Sequence, residues 1–377
     1  MDEEEFSLDT LQSAIEEKGA AWEPAVTSLS LMSAEEKMQR LGLMPTETEL
    51  ELSTELGLDK PQGSKTSSGK KKKSSNPGPA GLPSKWDWRD VNGINWTTPI
   101  RDQDGCGSCV AFGTVAALEA LLRIRTYQDP NKSIDLSEAH LLFCGGGSCN
   151  GWHMNHACNY LQANGVPDEA CFPYSKGLQT RSCTTCSDWR NRIDHTKIPS
   201  WSNTKDVDQM KKNIVENGPQ ITGMAVYQDF FSYAGGIYEH VSGGLAGYHC
   251  VAVVGYSEQD GCWICKNSWG TGWGEADGGQ RGWFRIKYGE CGIQDVFGMW
   301  NMVVARARGH ADAQYLLVDY SFTSNVRTLW AYAGGRWRHR RITDAQVAGI
   351  AELLMKAAKI HIWWRDSTIT FVRARKV

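Results

Sequence analysis

The stretch Gln103-Asp104-Gly105-Cys106-Gly107-Ser108-Cys109 runs directly into the apolar segment Val110-Ala111-Phe112-Gly113-Thr114-Val115-Ala116-Ala117-Leu118. That pattern predicts a helix with Cys109 at its start. Backbone N–H groups there lack internal partners, and the helix dipole favours negative charge. A thiolate in such a place has a lowered pKa and acts as a nucleophile. One cysteine at a helix start is equally compatible with a structural role, so the reading turns on its partners.

A nucleophilic thiol needs a base, and the base needs an orienting group. His249 lies in Gly247-Tyr248-His249-Cys250-Val251-Ala252-Val253-Val254-Gly255-Tyr256, which reads as a His leading into a buried strand. Asn267 lies in Trp263-Ile264-Cys265-Lys266-Asn267-Ser268-Trp269-Gly270-Thr271-Gly272, a strand end and a glycine-rich turn. His249 follows Cys109 by 140 residues and Asn267 follows His249 by 18. Taken singly, His249 is a packing histidine, Asn267 a turn residue and Gln103 carries nothing. Together, in this order and spacing, the chain resembles the papain family of cysteine peptidases, of papain and cathepsin type. The resemblance covers about residues 83–305, from Leu82-Pro83-Ser84-Lys85-Trp86-Asp87-Trp88-Arg89 to the strand ending in Val303-Val304.

The resemblance implies an α+β, papain-like two-lobed fold. A helical lobe would carry the cysteine and a β-rich lobe the His and Asn, with the cleft between. It further implies that Cys109, His249, Asn267 and Gln103 are catalytic. Gln103 and the Cys109 N–H would donate to the oxyanion, and Trp269 would shield the His249–Asn267 bond. An amide aimed at developing charge supplies about 2.7–4 kcal/mol. The expected activity is that of a cysteine endopeptidase zymogen working through an acyl-enzyme. The stretch from Val226 to His240 resembles cathepsin B, yet Cys149 to Phe172 leaves no room for that enzyme's occluding loop, so endopeptidase is preferred. An inactive binding scaffold and a transpeptidase or ligase are the alternatives. No metal and no organic cofactor is implied.

Two departures from the family pattern stand out. Val110 replaces the usual aromatic after the nucleophile and reads as a packing change. Trp152, in Cys149-Asn150-Gly151-Trp152-His153, stands where a second glycine is usual. Its indole is expected to narrow or cover the non-primed cleft. Gly151, Trp152 and Trp269 are assigned to the substrate path, with Met154, Gly223 and Cys250 lining the pocket for the second substrate side chain.

The chain has 377 residues, which suggests two or three domains. At 41% hydrophobic and 22% charged residues, it is composed as an ordinary soluble protein. A formal charge of −3 implies no bulk attraction to nucleic acid or membrane. No apolar run is long enough for a transmembrane helix, and Met1-Asp2-Glu3-Glu4-Glu5-Phe6 is not a signal peptide. All twelve cysteines lie between Cys106 and Cys291. Cys183-Thr184-Thr185-Cys186 and Cys262-Trp263-Ile264-Cys265 have the spacing of zinc pairs, but the resemblance offers disulfides instead. It pairs Cys106 with Cys149, Cys144 with Cys183 or its neighbour Cys186, and Cys171 with the other. Such bridges favour an extracytoplasmic or secreted site over a cytoplasmic one.

Residues 1–62 form an acidic leader, with fifteen Asp or Glu against four Lys or Arg. Leu8, Leu11 and Ile15 are spaced for a helix. Ser33-Ala34-Glu35-Glu36 opens a second helix through Leu41, stopped by Gly42. By resemblance the leader is an inhibitory propeptide lying in the cleft. Residues 63–83 read as a flexible linker holding the Lys70–Lys73 run, and residues 84–310 as the peptidase. Residues 311–377 hold eleven Lys or Arg against five Asp or Glu and form a basic α+β accessory domain. Its expected parts are a strand over Tyr315–Tyr320, hairpins around Gly334-Gly335 and Asp366-Ser367, and a helix from Gln346 to Ala358. Its tryptophans interleaved with basic residues suit docking of a protein or of the acidic leader better than nucleic acid. A peptide or protein substrate is the other expected partner.

Overall fold

The computed structural model describes residues 7–59, 82–193 and 195–305. In the C-terminal segment it describes 308–312, 315–321, 326–333, 336–343, 346, 359–365 and 368–375. These residues fall into two compact units, one within 1–124 and 129–304, the other within 125–128 and 305–377. The linker lysines Lys70–Lys73 and the helix expected after Gln346 lie outside the described residues.

In the first unit the leader supplies α1 (Leu8–Lys18), β1 (Ala21–Pro24), α2 (Ala34–Met38) and α3 (Glu47–Glu55). Ser7 caps α1 by accepting from the Thr10 N–H, and Gly19 ends it in the left-handed region at φ 66°. Leu11 and Ile15 are buried, as their spacing requires. The Ser33–Glu36 capping box is formed. The helix it opens ends at Met38 rather than Leu41, so Arg40, Leu41 and Gly42 are free to run on in another conformation. A second box, Thr46 with Glu49, starts α3. The Thr-x-x-Glu pattern was available to predict α3.

The rest of the unit follows as β2 (Lys85–Asp87), α4 (Cys109–Leu121), α5 (Met154–Ala163), α6 (Tyr174–Thr180), β3 (Ser200–Thr204) and α7 (Val207–Glu216). Then come β4 (Gln220–Tyr227), β5 (Tyr233–Tyr238), β6 (Leu245–Ser257), β7 (Cys262–Lys266), β8 (Glu275–Asp277), β9 (Gln280–Lys287) and β10 (Met299–Val303). Nearly every residue of α4 is buried, which an all-round apolar helix demands. The sheet runs β1-β5-β9-β7-β6-β4-β10-β3, with β2 on β6 and β8 on β9. Strand β1 pairs antiparallel with β5, so the leader forms an edge of the sheet and shares one compact unit with the 84–304 region. Beneath it, Phe230, Tyr233, Tyr238, Trp269, Trp273 and Phe284 form a fully buried aromatic cluster.

Three disulfides join Cys106–Cys149, Cys144–Cys183 and Cys171–Cys186. Cys183 and Cys186 therefore belong to separate bridges and cannot form a zinc pair. Cys262 and Cys265 are free and buried on β7.

The second unit contains a six-stranded sheet of β11 (Arg308–Asp312), β12 (Tyr315–Ser321), β13 (Val326–Ala333), β14 (Arg336–Ile342), β15 (Lys359–Arg365) and β16 (Thr368–Arg375). Its order is β11-β15-β16-β14-β13-β12, and both expected hairpins are present as antiparallel pairs. The break from the first unit falls after Val304, earlier than the expected 310. Arg308–Asp312 pairs with Lys359–Arg365 and so belongs to the second sheet.

Candidate active site

Cys109 opens α4, and its thiol is fully buried. Burial pushes the thiol up to about 11, against the opposing influence of the Cys250 and Gly42 backbone N–H groups. His249 sits on β6 where that strand becomes buried. Its Nε2 meets Asn267 Oδ1 at 2.7 Å, and its ring packs on Trp269 with centroids 4.7 Å apart. Nδ1 of His249 is buried without a hydrogen-bond partner among the described residues. Burial lowers the imidazole to about 4, against the opposing pull of the Asn267 bond and the Arg40 carbonyl. Asn267 follows the last residue of β7 and also accepts the Ser268 N–H at 2.8 Å. Burial thus disfavours both the thiolate and the imidazolium.

Gln103 is fully buried and held at both ends of its amide. Oε1 accepts from the Ser268 hydroxyl at 2.7 Å, while Nε2 donates to the Cys106 carbonyl at 2.8 Å. The same Nε2 donates to the Arg40 carbonyl at 3.0 Å. A leader carbonyl thus fills the position expected for an oxyanion. Behind the site, Lys266 Nζ donates to Thr98 Oγ1 at 3.0 Å, and Thr98 donates to Glu119 of α4 at 2.6 Å. This buried chain ties the residue before Asn267 to the helix of Cys109, and sequence reasoning did not single it out.

The leader follows the cleft in extended form. The Trp152 N–H donates to the Gly42 carbonyl at 2.8 Å, and the Met44 N–H donates to the Trp152 carbonyl at 2.9 Å. The Leu43 N–H donates to the Tyr248 carbonyl at 3.2 Å. The Leu43–Trp152 bridge is parallel. Leu43 covers Gly223, with Phe297 beside it; Cys250 stands opposite Gly223 in the β4–β6 pair, and Met154 is buried. The space that Gly223 leaves open is filled by the leader.

Trp152 does not cover the cleft, contrary to expectation. Both of its backbone polar groups pair with the leader, and its indole turns away into the protein, where it is only 3% exposed. A Cβ at Gly145 or Gly147 would come within 2.5 and 2.8 Å of that indole. The run Gly145-Gly146-Gly147 provides the flat surface on which it lies. Gly151, at φ 123°, brings its backbone against the Gly42 carbonyl, where a Cβ would stand at 2.7 Å.

Gly42 is the tightest point of the leader, since a Cβ there would fall on the Gly107 carbonyl. Neither backbone can yield cheaply, and overpacking of this kind costs about 1–3 kcal/mol. Gly42→Ala is expected to dislodge Arg40–Met44 and raise the rate at which a thiol reagent labels Cys109 in the full chain at pH 7, by roughly 10–100-fold. Labelling at the wild-type rate would show that this contact does not seat the leader.

The model of the papain family cysteine proteases matches residues 82–299. Cysteine proteinase 1 of Entamoeba histolytica is 37% identical over 201 residues, covering 50% of this chain and 60% of that protein. Cathepsin B-like CP2 of Giardia intestinalis is 32% identical over 207 residues, covering 52% and 67%. The chain thus spans about 60% of the length of the first of these relatives. Among solved structures, digestive procathepsin L2 of the Tenebrio molitor larval midgut superposes with a TM-score of 0.58 at 23% identity, covering 79% of this chain and 88% of that one. ProCathepsin B S9 of Trypanosoma congolense gives 0.59 at 22%, covering 79% and 98%. At those identities the likeness concerns the fold.

Proposed function

The chain belongs to the papain family of cysteine proteases, and on that premise we propose that it is a latent cysteine endopeptidase held shut by its own leader. In the released enzyme Cys109 attacks the scissile carbonyl and His249 takes the thiol proton, then returns it to the leaving amine. Asn267 orients the imidazole without adding a charge. The oxyanion is stabilised by the Gln103 amide and the Cys109 N–H. Water then attacks the acyl-enzyme, with His249 as base, and frees the carboxylic acid.

The observation that carries this reading is the Arg40 carbonyl on the Gln103 amide, two residues before the Gly42 backbone that packs against Gly107. With a leader carbonyl on that amide, the leader occupies the place where a substrate carbonyl would be received. The three disulfides suit an oxidising, extracytoplasmic setting.

Acid should favour release. With the leader in place, burial lowers the His249 imidazole to about 4, so a proton on that ring opposes the docked state. Uncovered, the imidazole moves back towards about 6.5. Protonation therefore opposes docking progressively as pH drops from about 6.5 towards 4. The test is mass spectrometry of the full chain beside Cys109→Ala, followed over time from pH 7 to 4. Only the wild type should lose its first 60–85 residues or so, faster at lower pH. If wild type and variant both stay intact, and an active-site epoxide fails to label Cys109, the peptidase reading is wrong.

A further inference from the structure

Arg40 has two ends in the site. Its carbonyl meets Gln103, and its guanidinium Nη1 meets Asp102 Oδ1 at 2.5 Å. The Arg40 side chain is 8% exposed, whereas that of Asp102 remains 41% exposed even with its partner in place. Asp102 thus stands on the cleft surface, and the leader brings the cation to it.

The carboxylate is held by backbone. Oδ1 also accepts the Asp104 N–H at 2.8 Å. Oδ2 rests over Gly270, where a Cβ would approach to 2.6 Å, and Asp102 bridges to Trp269. Asp104 adds a second carboxylate from a left-handed turn at φ 50°. Burial raises its pKa first and Asp102 raises it further, while Arg40 lowers it. The guanidinium therefore neutralises two acids crowded beside Gln103. Departure of the leader removes that cation and leaves two oriented carboxylates at the edge of the catalytic cleft.

Leu43 and Met44 lie on Gly223 and Trp152, the acyl side of the cleft, so Arg40 marks the opposite side. We propose that Asp102, assisted by Asp104, is a specificity-determining site that receives an Arg or Lys side chain on the leaving-group side of the scissile bond, where Arg40 sits in the latent chain. The inference rests on the peptidase reading above. A planar guanidinium suits a fixed carboxylate better than an ammonium, so Arg is preferred to Lys.

The test uses the full chain after its own acid processing and internally quenched peptides that differ at one residue, first or second after the scissile bond. Arg, Gln and Glu peptides are compared by kcat/KM. At low salt the wild type should favour Arg over Gln by about tenfold, with the preference shrinking as salt rises. Asp102→Asn should bring the ratio close to unity, and Asp102→Lys should invert it towards Glu. Each ratio is taken within one protein, so loss of folded material cancels. A wild-type ratio near unity, or an unchanged ratio in Asp102→Asn, overturns the inference while the peptidase reading stands. No cleavage of any peptide sinks both.

Discussion

Cys109→Ser is expected to lower kcat for peptide hydrolysis by about 10⁴-fold or more. The substitution keeps the size of the side chain and its place at the first turn of α4, so the fold and the leader contacts should survive. It removes the group whose proton His249 can hold. A thiol is the most easily activated of the uncharged nucleophiles, and the backbone N–H of Cys250, which stays when the leader leaves, favours negative charge on sulfur. A serine hydroxyl in that position lies several pKa units further from ionisation and has only a neutral imidazole to assist it. The measurement is single-turnover hydrolysis of a quenched peptide after the leader has been removed from both proteins by an added protease. Comparable rates in the two would mean that some other residue attacks the carbonyl.

Gln103→Ala is expected to lower kcat by about 10²–10³-fold with KM close to the wild-type value. In the proposed mechanism the amide bonds the developing oxyanion more strongly than the ground-state carbonyl, so its loss would fall on the chemical step. It also leaves the Ser268 hydroxyl without its acceptor and the Arg40 carbonyl without its donor. Loss of one such bond weakens leader docking by roughly tenfold. The variant should therefore release its leader sooner when an added protease is present, yet turn over substrate far more slowly. A parallel rise in KM with kcat unchanged would place Gln103 in substrate binding instead. The opposite movement of latency and turnover is what a single amide serving both the leader and the oxyanion entails.

Much of the site is legible along the chain. Gln103, Cys109, His249 and Asn267 each lie inside a local motif, and the structure gathers them around Arg40–Gly42. Cys109 at a helix start follows from an apolar run whose length and all-round character leave few other options. Strand β6 follows from the apolar run Cys250–Tyr256 that His249 leads into. The Ser33–Glu36 box marks α2 because capping is a contact between residues three apart. Trp152 illustrates where such reading stops. Its expected place over the cleft came from its own position alone, whereas its indole goes where Gly145 and Gly147 leave room. The boundary after Val304 was misplaced for a similar reason, since strand partners from Lys359 to Arg365 decide to which sheet Arg308–Asp312 belongs.

The family was legible from the amino-acid sequence, and so were the proposed nucleophile, base and orienting amide, because Cys109, His249 and Asn267 each stand in a short local motif and the three follow one another at recognisable spacings. Only the tertiary structure decided the course of the leader, the group on Gln103 and the Arg40–Asp102 pair. Those contacts join the Arg40 side chain to Asp102, 62 residues on, and the Arg40 carbonyl to the Gln103 side chain, 63 residues on, with no periodicity to announce them. Their geometry is set by how the leader's helices and strand β1 dock on the sheet, which places Gly42 against the backbone of Gly107 and leaves Arg40 facing a carboxylate.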